Sequence, residues 1–249
     1  GARRRAACRS GAEKVMSTPA PNGRGSASQA ARQWLGSLRF RLWRRYYHCR
    51  ATWNRRHPAA VGARDPVTAV ITNYNRLRWP RAMADYLATC PGIRPLILDN
   101  ASTYPPTLEW YRSCPHRVVR LCVNLGHMAP WLSGLAYTLG PRYIVTDPDL
   151  DLSAVPKDLL HVLAAELEAN PHLRKVGLGL AIADLPDNES TRRVREWESN
   201  FWRFPTGTGF YDEAHIDTTF ALYAGEREAI SFYLARRSDY PYVARHLPW

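Results

Sequence analysis

Three short apolar runs in this chain stop at a polar cluster and a fourth stops at a turn, and no other feature limits its fold as tightly. Residues 67–72 lead into Asn73-Tyr74-Asn75-Arg76, and 95–98 into Asp99-Asn100-Ala101-Ser102. Residues 117–123 lead into Asn124-Leu125-Gly126, and 143–146 into Asp147-Pro148-Asp149-Leu150-Asp151. Apolar runs this short read as buried strands, and helical patterns at 78–89, 127–139 and 156–170 alternate with them. The alternation predicts an α/β fold, Rossmann-like, with a mostly parallel central sheet and helices on both faces. In open sheets of that kind, ligands bind beyond the carboxyl ends of the strands, where the polar clusters fall. The later chain is less regular. A long strand at 175–183, a helix near 189–202, a Gly/Thr loop at 206–209 and an apolar stretch at 218–223 are expected there.

The formal net charge of +12 suggests nucleic acid until it is divided along the chain. Residues 1–66 hold 15 Lys/Arg against 2 Asp/Glu, and residues 67–249 hold 19 against 20. The basicity belongs to the N-terminal segment and says little about the body of the protein. Residues 1–27 read as a disordered or vector-derived basic tail, and 28–66 as a basic amphipathic helix with a linker after His57-Pro58. Leu35, Leu38, Leu42, Tyr46, Cys49 and Trp53 recur at helical spacing, with arginines away from them. Two readings of residues 28–56 stand side by side. The stripe packs on protein, either the body of the chain or a second copy; or the helix lies on an anionic membrane surface or holds nucleic acid.

Five cysteines (Cys8, Cys49, Cys90, Cys114, Cys122) are widely spaced, with no Cys-x-x-Cys pair. Neither a disulfide framework nor a structural zinc site is expected. No apolar run approaches the roughly 20 residues that span a bilayer. A reduced, cytoplasmic placement follows as the expectation, with peripheral contact at the inner membrane surface open to the N-terminal helix.

The chemistry sits at the strand ends. Carboxylates two apart on an extended or turning segment project to the same side, as Asp147 and Asp149 would. Mg²⁺ or Mn²⁺ takes one or two such carboxylates together with substrate phosphate oxygens, and neutralises charge on a departing diphosphate. An acidic turn that caps the next segment is the plain alternative, and for Asp151 the preferred one.

The four motifs, in their order and spacing, make residues 67–152 resemble the nucleotide-binding half of the family-2 glycosyltransferases of GT-A fold. The resemblance implies that Asp99 hydrogen-bonds the base and that Thr72, Tyr74 and Arg76 surround base, ribose or diphosphate. It implies Asp147 on ribose or donor sugar and Asp149 on Mn²⁺ or Mg²⁺. Asn124 either belongs to the nucleotide site or only makes a tight turn. The family's usual Glu-Asp general base is missing. Asp217, before the 218–223 stretch, is the first candidate for that base, and Glu196, with Glu198, the reserve. Several GT-A enzymes complete the metal site with a late histidine. His246 fits by position, and His215 competes. Residues 153–249 would form the acceptor half.

The implied activity is transfer of a single sugar, with inversion, from a nucleoside-diphosphate sugar (a UDP-sugar favoured) to a glycan or other hydroxyl acceptor. The Gln-x-x-Arg-Trp motif of processive synthases is absent. A sugar-1-phosphate nucleotidyltransferase would need a Gly-rich phosphate loop, which residues 72–76 lack. A nucleic-acid-binding protein, a DNA-base glycosyltransferase using the basic arm, or a degenerate transferase kept as a scaffold are the alternatives.

Overall fold

The computed structural model describes residues 25–57, 66–224 and 233–249. The chain divides into two units, Gly1–Arg39 and Phe40–Trp249. Most of the expected basic tail lies outside the described residues. Residues 25–39 are the first part of helix α1 (Gly25–Arg56), whose remainder belongs to the second unit.

That unit alternates as the apolar runs require. In order come β1 (Val67–Asn73), α2 (Arg78–Leu87), β2 (Ile93–Asp99), α3 (Pro105–Ser113), β3 (Arg117–Arg120), α4 (Ala129–Leu132) and β4 (Tyr143–Thr146). Then follow β5 (Leu150–Asp151), α5 (Leu159–Ala169), β6 (Lys175–Gly177), β7 (Gly179–Leu180) and α6 (Glu189–Glu198). Last are β8 (Phe210–Tyr211), β9 (Ala221–Tyr223), β10 (Ala235–Ser238) and β11 (Val243–His246). The main sheet has the order β3-β2-β1-β4-β9-β6-β10-β8. Strands β1, β2, β3, β4, β6 and β10 share one direction, while β9 and β8 run against them. A small second sheet, β5-β11-β7, is built from the chain just past β4 and the last strand.

Period-two alternation divides the core between the two faces of the main sheet. Ala69, Ile71, Ile97 and Ile144 pack with Met83 and Leu87 of α2 and Leu159 and Leu163 of α5. Val70, Leu96, Leu98 and Val145 face the other way, onto Trp131, Leu135 and Tyr47. A one-residue slip would exchange the two sets, so register is strongly specified.

Tertiary packing alters several expected elements. The helix expected at 127–139 is only α4 plus a 3-10 turn at Ala136–Thr138, interrupted at Gly134 (φ +78°). The strand expected at 175–183 breaks into β6 and β7, which belong to different sheets. A Cβ at Gly177 would meet the Phe220 carbonyl oxygen at 2.4 Å, and one at Gly179 the Ser238 carbonyl oxygen at 2.5 Å, so both positions exclude side chains. Helix α3, opened by Pro105-Pro106, was not anticipated, nor were β10 and β11.

Helix α1 docks by a different face from its apolar stripe. Tyr47 is 3% exposed, and its hydroxyl accepts a hydrogen bond from the Cys122 backbone N–H at 3.0 Å. The Asn54 side chain donates to the Gly134 carbonyl at 3.0 Å. Leu42, Tyr46 and Trp53 stay 60%, 51% and 64% exposed. Periodicity locates an apolar stripe, but the docked face is chosen by shape and by the backbone groups Tyr47 and Asn54 satisfy.

At Gly134 a Cβ would stand 2.8 Å from the Ala51 Cα. Gly134→Ala should therefore loosen the docked helix and lower stability by about 2 kcal/mol in urea unfolding. Hydrogen exchange should show protection falling at residues 47–54; unchanged protection would mean that this close approach is not needed.

Candidate active site

The loops after β1, β2 and β3 hold one another through asparagine side chains, each able to donate and accept. Asn73 Nδ2 donates to the Arg76 carbonyl and the Tyr111 hydroxyl, both at 2.8 Å. Asn75, at φ 56°, accepts from the N–H groups of Thr103 and Tyr104 at 2.7 and 2.9 Å, and its own N–H donates to Ser102 Oγ at 2.8 Å. Asn100 accepts from the Leu125 N–H at 2.7 Å and donates to the Gly126 carbonyl at 2.9 Å. Asn124 closes its own turn, accepting from the Gly126 N–H at 2.8 Å. Three motifs far apart in sequence thus form one rim.

On that rim Tyr74 is 46% exposed, while Thr72 is buried with its hydroxyl unpartnered among the described residues. Asp99 is fully buried. Its carboxylate accepts from the Ser102 N–H, from the Tyr111 hydroxyl at 3.1 Å and from Arg120 Nε at 3.3 Å. Burial and the Asp99 charge push the Tyr111 phenol up, which keeps it a donor. Arg120, whose side chain is 55% exposed, thus pairs with a carboxylate that is itself fully buried. In the sequence Arg120 carries one signal, a basic residue closing an apolar strand.

Beyond β4 the acidic cluster meets two segments from much later in the chain. Antiparallel pairing of β9 with β4 sets Tyr143 against Tyr223 and Val145 against Ala221. The residues just before β9 are thereby brought beside the end of β4, and Thr218 Oγ1 donates to Asp147 Oδ1 at 2.9 Å. Pairing of β11 with β5 sets His246 opposite Leu150, and the Leu247 N–H donates to the Asp149 carbonyl at 3.0 Å. His246 Nε2 then lies 4.0 Å from Asp149 Oδ1, and Arg76 Nη2 3.1 Å from Asp149 Oδ2. Asp151 turns away to cap its own turn, accepting from the Ser153 N–H at 2.9 Å.

The electrostatics follow from burial and crowding. Burial, then the neighbouring Asp217 and Asp149 charges, lift the Asp147 carboxyl to about 7 despite the Thr218 hydrogen bond. Burial also pushes Asp217 up, but the Thr219 N–H and the Arg237 guanidinium outweigh it and hold this carboxyl below the usual range. Burial pulls the His246 imidazole down against the attraction of Asp149 and Asp217, which favours the neutral, metal-competent ring. Lys175, buried beneath the loop, donates to the carbonyls of Ile216 and Asp217; burial lowers it to about 8.

A cleft of about 530 Å³ opens here, lined by Asp147, Asp217, His246, His215, Glu198 and Arg237 with aromatic walls from Trp197, Phe201, Tyr233 and Trp249. Its size suits a small-molecule site. Glu198, rather than Glu196, reaches the cleft: Glu196 is exposed and outside the lining, whereas Glu198 Oε2 binds Arg237 Nη1 at 2.7 Å. Helical spacing cannot decide which of two glutamates flanking a tryptophan turns inward. His215 lines the cleft beside Phe201 and Tyr233, and its carbonyl accepts from Arg237 Nε and Nη2.

For a divalent ion the residues fit a sparse mode. Among the described residues no group of three or more His, Cys, Asp or Glu is arranged to hold a metal. Asp149 with His246, whose buried Nδ1 has no hydrogen-bond partner in the described residues, offers two ligands. Mg²⁺ and Mn²⁺ sites completed by substrate phosphates need no more than that from the protein.

No family model matches the sequence, and no curated protein matches it. Among solved structures, the crystal structure of S. aureus TarS 1–349 superposes with a TM-score of 0.42 at 14% identity, covering 74% of this chain. The chain spans 58% of that structure's length. A likeness at this level leaves the function to be read from the site itself.

The Glu198–Arg237 pair gives a direct check on the cleft wall. Both side chains are buried, so Arg237→Met would strand Glu198 without a counter-charge. The expected loss is about 3 kcal/mol in denaturant unfolding, with partial recovery when Glu198→Gln is added.

Proposed function

We propose that this protein is a glycosyltransferase of GT-A type, moving one sugar from a nucleoside-diphosphate donor, a UDP-sugar favoured, to an acceptor hydroxyl. The observation that carries the proposal is the gathering of Asp147, Asp149, Asp217 and His246 from three separate segments at the carboxyl end of β4. Burial, and after it the neighbouring Asp217 and Asp149 charges, raise the Asp147 carboxyl to about 7. A site that concentrates negative charge at the mouth of a sheet is built to receive a cation with its anionic ligand.

In this reading Mn²⁺ or Mg²⁺ would be held by Asp149 and His246, with donor phosphate oxygens completing its shell, and would supply neutralisation of the departing diphosphate. Arg76, partly exposed and paired with Asp149, would exchange that carboxylate for the diphosphate. Thr72, Tyr74 and the Asp99–Arg120 pair border the nucleotide, and Asp147 faces ribose or donor sugar. Asp217 is the general base. It lies in the cleft, is held ionised, and is fixed by Thr219 and Lys175. As the acceptor oxygen bonds to the anomeric carbon, its proton passes to Asp217 and the bond to the diphosphate breaks with its electron pair leaving on phosphate. Displacement from the opposite face inverts the anomeric centre. The faces of Trp197, Tyr233 and Trp249 suit sugar rings. Glu196, outside the cleft, has no part in it.

Two measurements test this. UDP with Mn²⁺ should raise the melting temperature more than either alone, and Asp149→Asn should remove the metal-dependent increment. Asp217→Asn should lower kcat for transfer by at least about 100-fold while leaving donor binding unchanged. Full turnover in Asp217→Asn would assign the base elsewhere. No nucleotide stabilisation under any metal condition would sink the whole reading.

A further inference from the structure

We propose that the outward face of residues 40–56 of α1 is a docking surface for an anionic lipid bilayer. Docking on the body of the protein uses Tyr47 and Asn54, and leaves a separate stripe uncovered. On that stripe Leu42, Tyr46 and Trp53 are 60%, 51% and 64% exposed, and Cys49 between them is exposed as well. Large aromatic and aliphatic side chains one turn apart, held in water by a helix that has docked another way, form a ready contact surface.

The charge around the stripe identifies the occupant. Residues 40–56 contain six arginines and no acidic residue. At about 100° per residue, Arg45 and Arg56 fall along the border of the stripe. A second copy of the same face would set arginine against arginine with no carboxylate to separate them. A nucleic acid would satisfy the arginines but leave Leu42 and Trp53 against phosphate and water. An anionic bilayer accepts both parts: guanidinium groups meet lipid phosphates, and the rings settle at the headgroup boundary. No helix among the described residues is long and apolar enough to cross a membrane, so the contact made by this helix is with the surface.

The test uses the whole chain and co-sedimentation with vesicles of phosphatidylcholine alone or with about 30% phosphatidylglycerol. Binding is expected to the anionic vesicles only, and to weaken as salt rises. Leu42→Ser combined with Trp53→Ser should reduce the affinity about tenfold or more. Arg45→Gln with Arg56→Gln, which leaves the apolar stripe intact, should reduce it too. Both pairs of side chains are exposed, so the circular dichroism spectrum and vesicle-free donor turnover should match the parent. Equal binding to both vesicle types, undiminished binding by the serine variant, or binding to duplex DNA but not vesicles would each overturn the proposal. So would a concentration-dependent dimer that the serine substitutions abolish in a chain that ignores vesicles.

Discussion

The site depends on the antiparallel pairing of β9 with β4, extended past the strand ends by the hydrogen bond from the Thr218 hydroxyl to the Asp147 carboxylate. Asp147 follows β4, and Thr218 precedes β9, 71 residues further on. Because β9 runs antiparallel beside β4, the end of one strand meets the approach to the other. That reversal inside an otherwise mostly parallel sheet brings Asp217 into the same cleft as Asp147. Without it, Asp217 would not reach the acidic turn after β4.

Holding these charges together requires countercharges that are themselves well held. Arg237 is buried, yet it binds Glu198 through Nη1 and donates from Nε and Nη2 to the His215 carbonyl oxygen, and its guanidinium lies over the Phe201 ring at 4.4 Å. Burial lowers its own pKa against the pull of Glu198 and Asp217. Lys175, buried under the same loop, keeps its ammonium against carbonyls and the Tyr223 ring. A low-dielectric surround strengthens each of these contacts and makes any unpaired partner costly, so the second half of the cleft stands or falls as a network.

The rim formed by the loops after β1, β2 and β3 is organised differently, by neutral side chains. Asn75 and Asn100 each satisfy backbone groups of a neighbouring loop, and Asn73 braces its own, which removes loop freedom before any ligand arrives. Preorganised loops of this kind carry less ordering cost on binding. Asp99 and Arg120 are the exception, a charged pair at the rim that opens only if Arg120 moves aside.

Much of this was legible in the chain. The apolar runs with polar ends specify β1, β2, β3 and β4 because strand period and strand-end chemistry are local properties. Asp147 and Asp149 stand out because their spacing and preceding strand are local too. Helix α3 had only a double proline as its signal, and the break between β6 and β7 depends on Gly177 and Gly179 meeting carbonyls from distant strands. The choice of Glu198 over Glu196, the cover of Arg120 on Asp99, and the approach of His246 to Asp149 all rest on partners tens of residues away. So does the docked face of α1, where the apolar stripe was visible and its exposure was not. The sequence by itself determined the strands, their polar ends and the charge of the N-terminal helix, since each follows from neighbours along the chain. Only the tertiary structure decided which carboxylates share a cleft, because that depends on the order and direction of strands in the sheet, which no local pattern encodes.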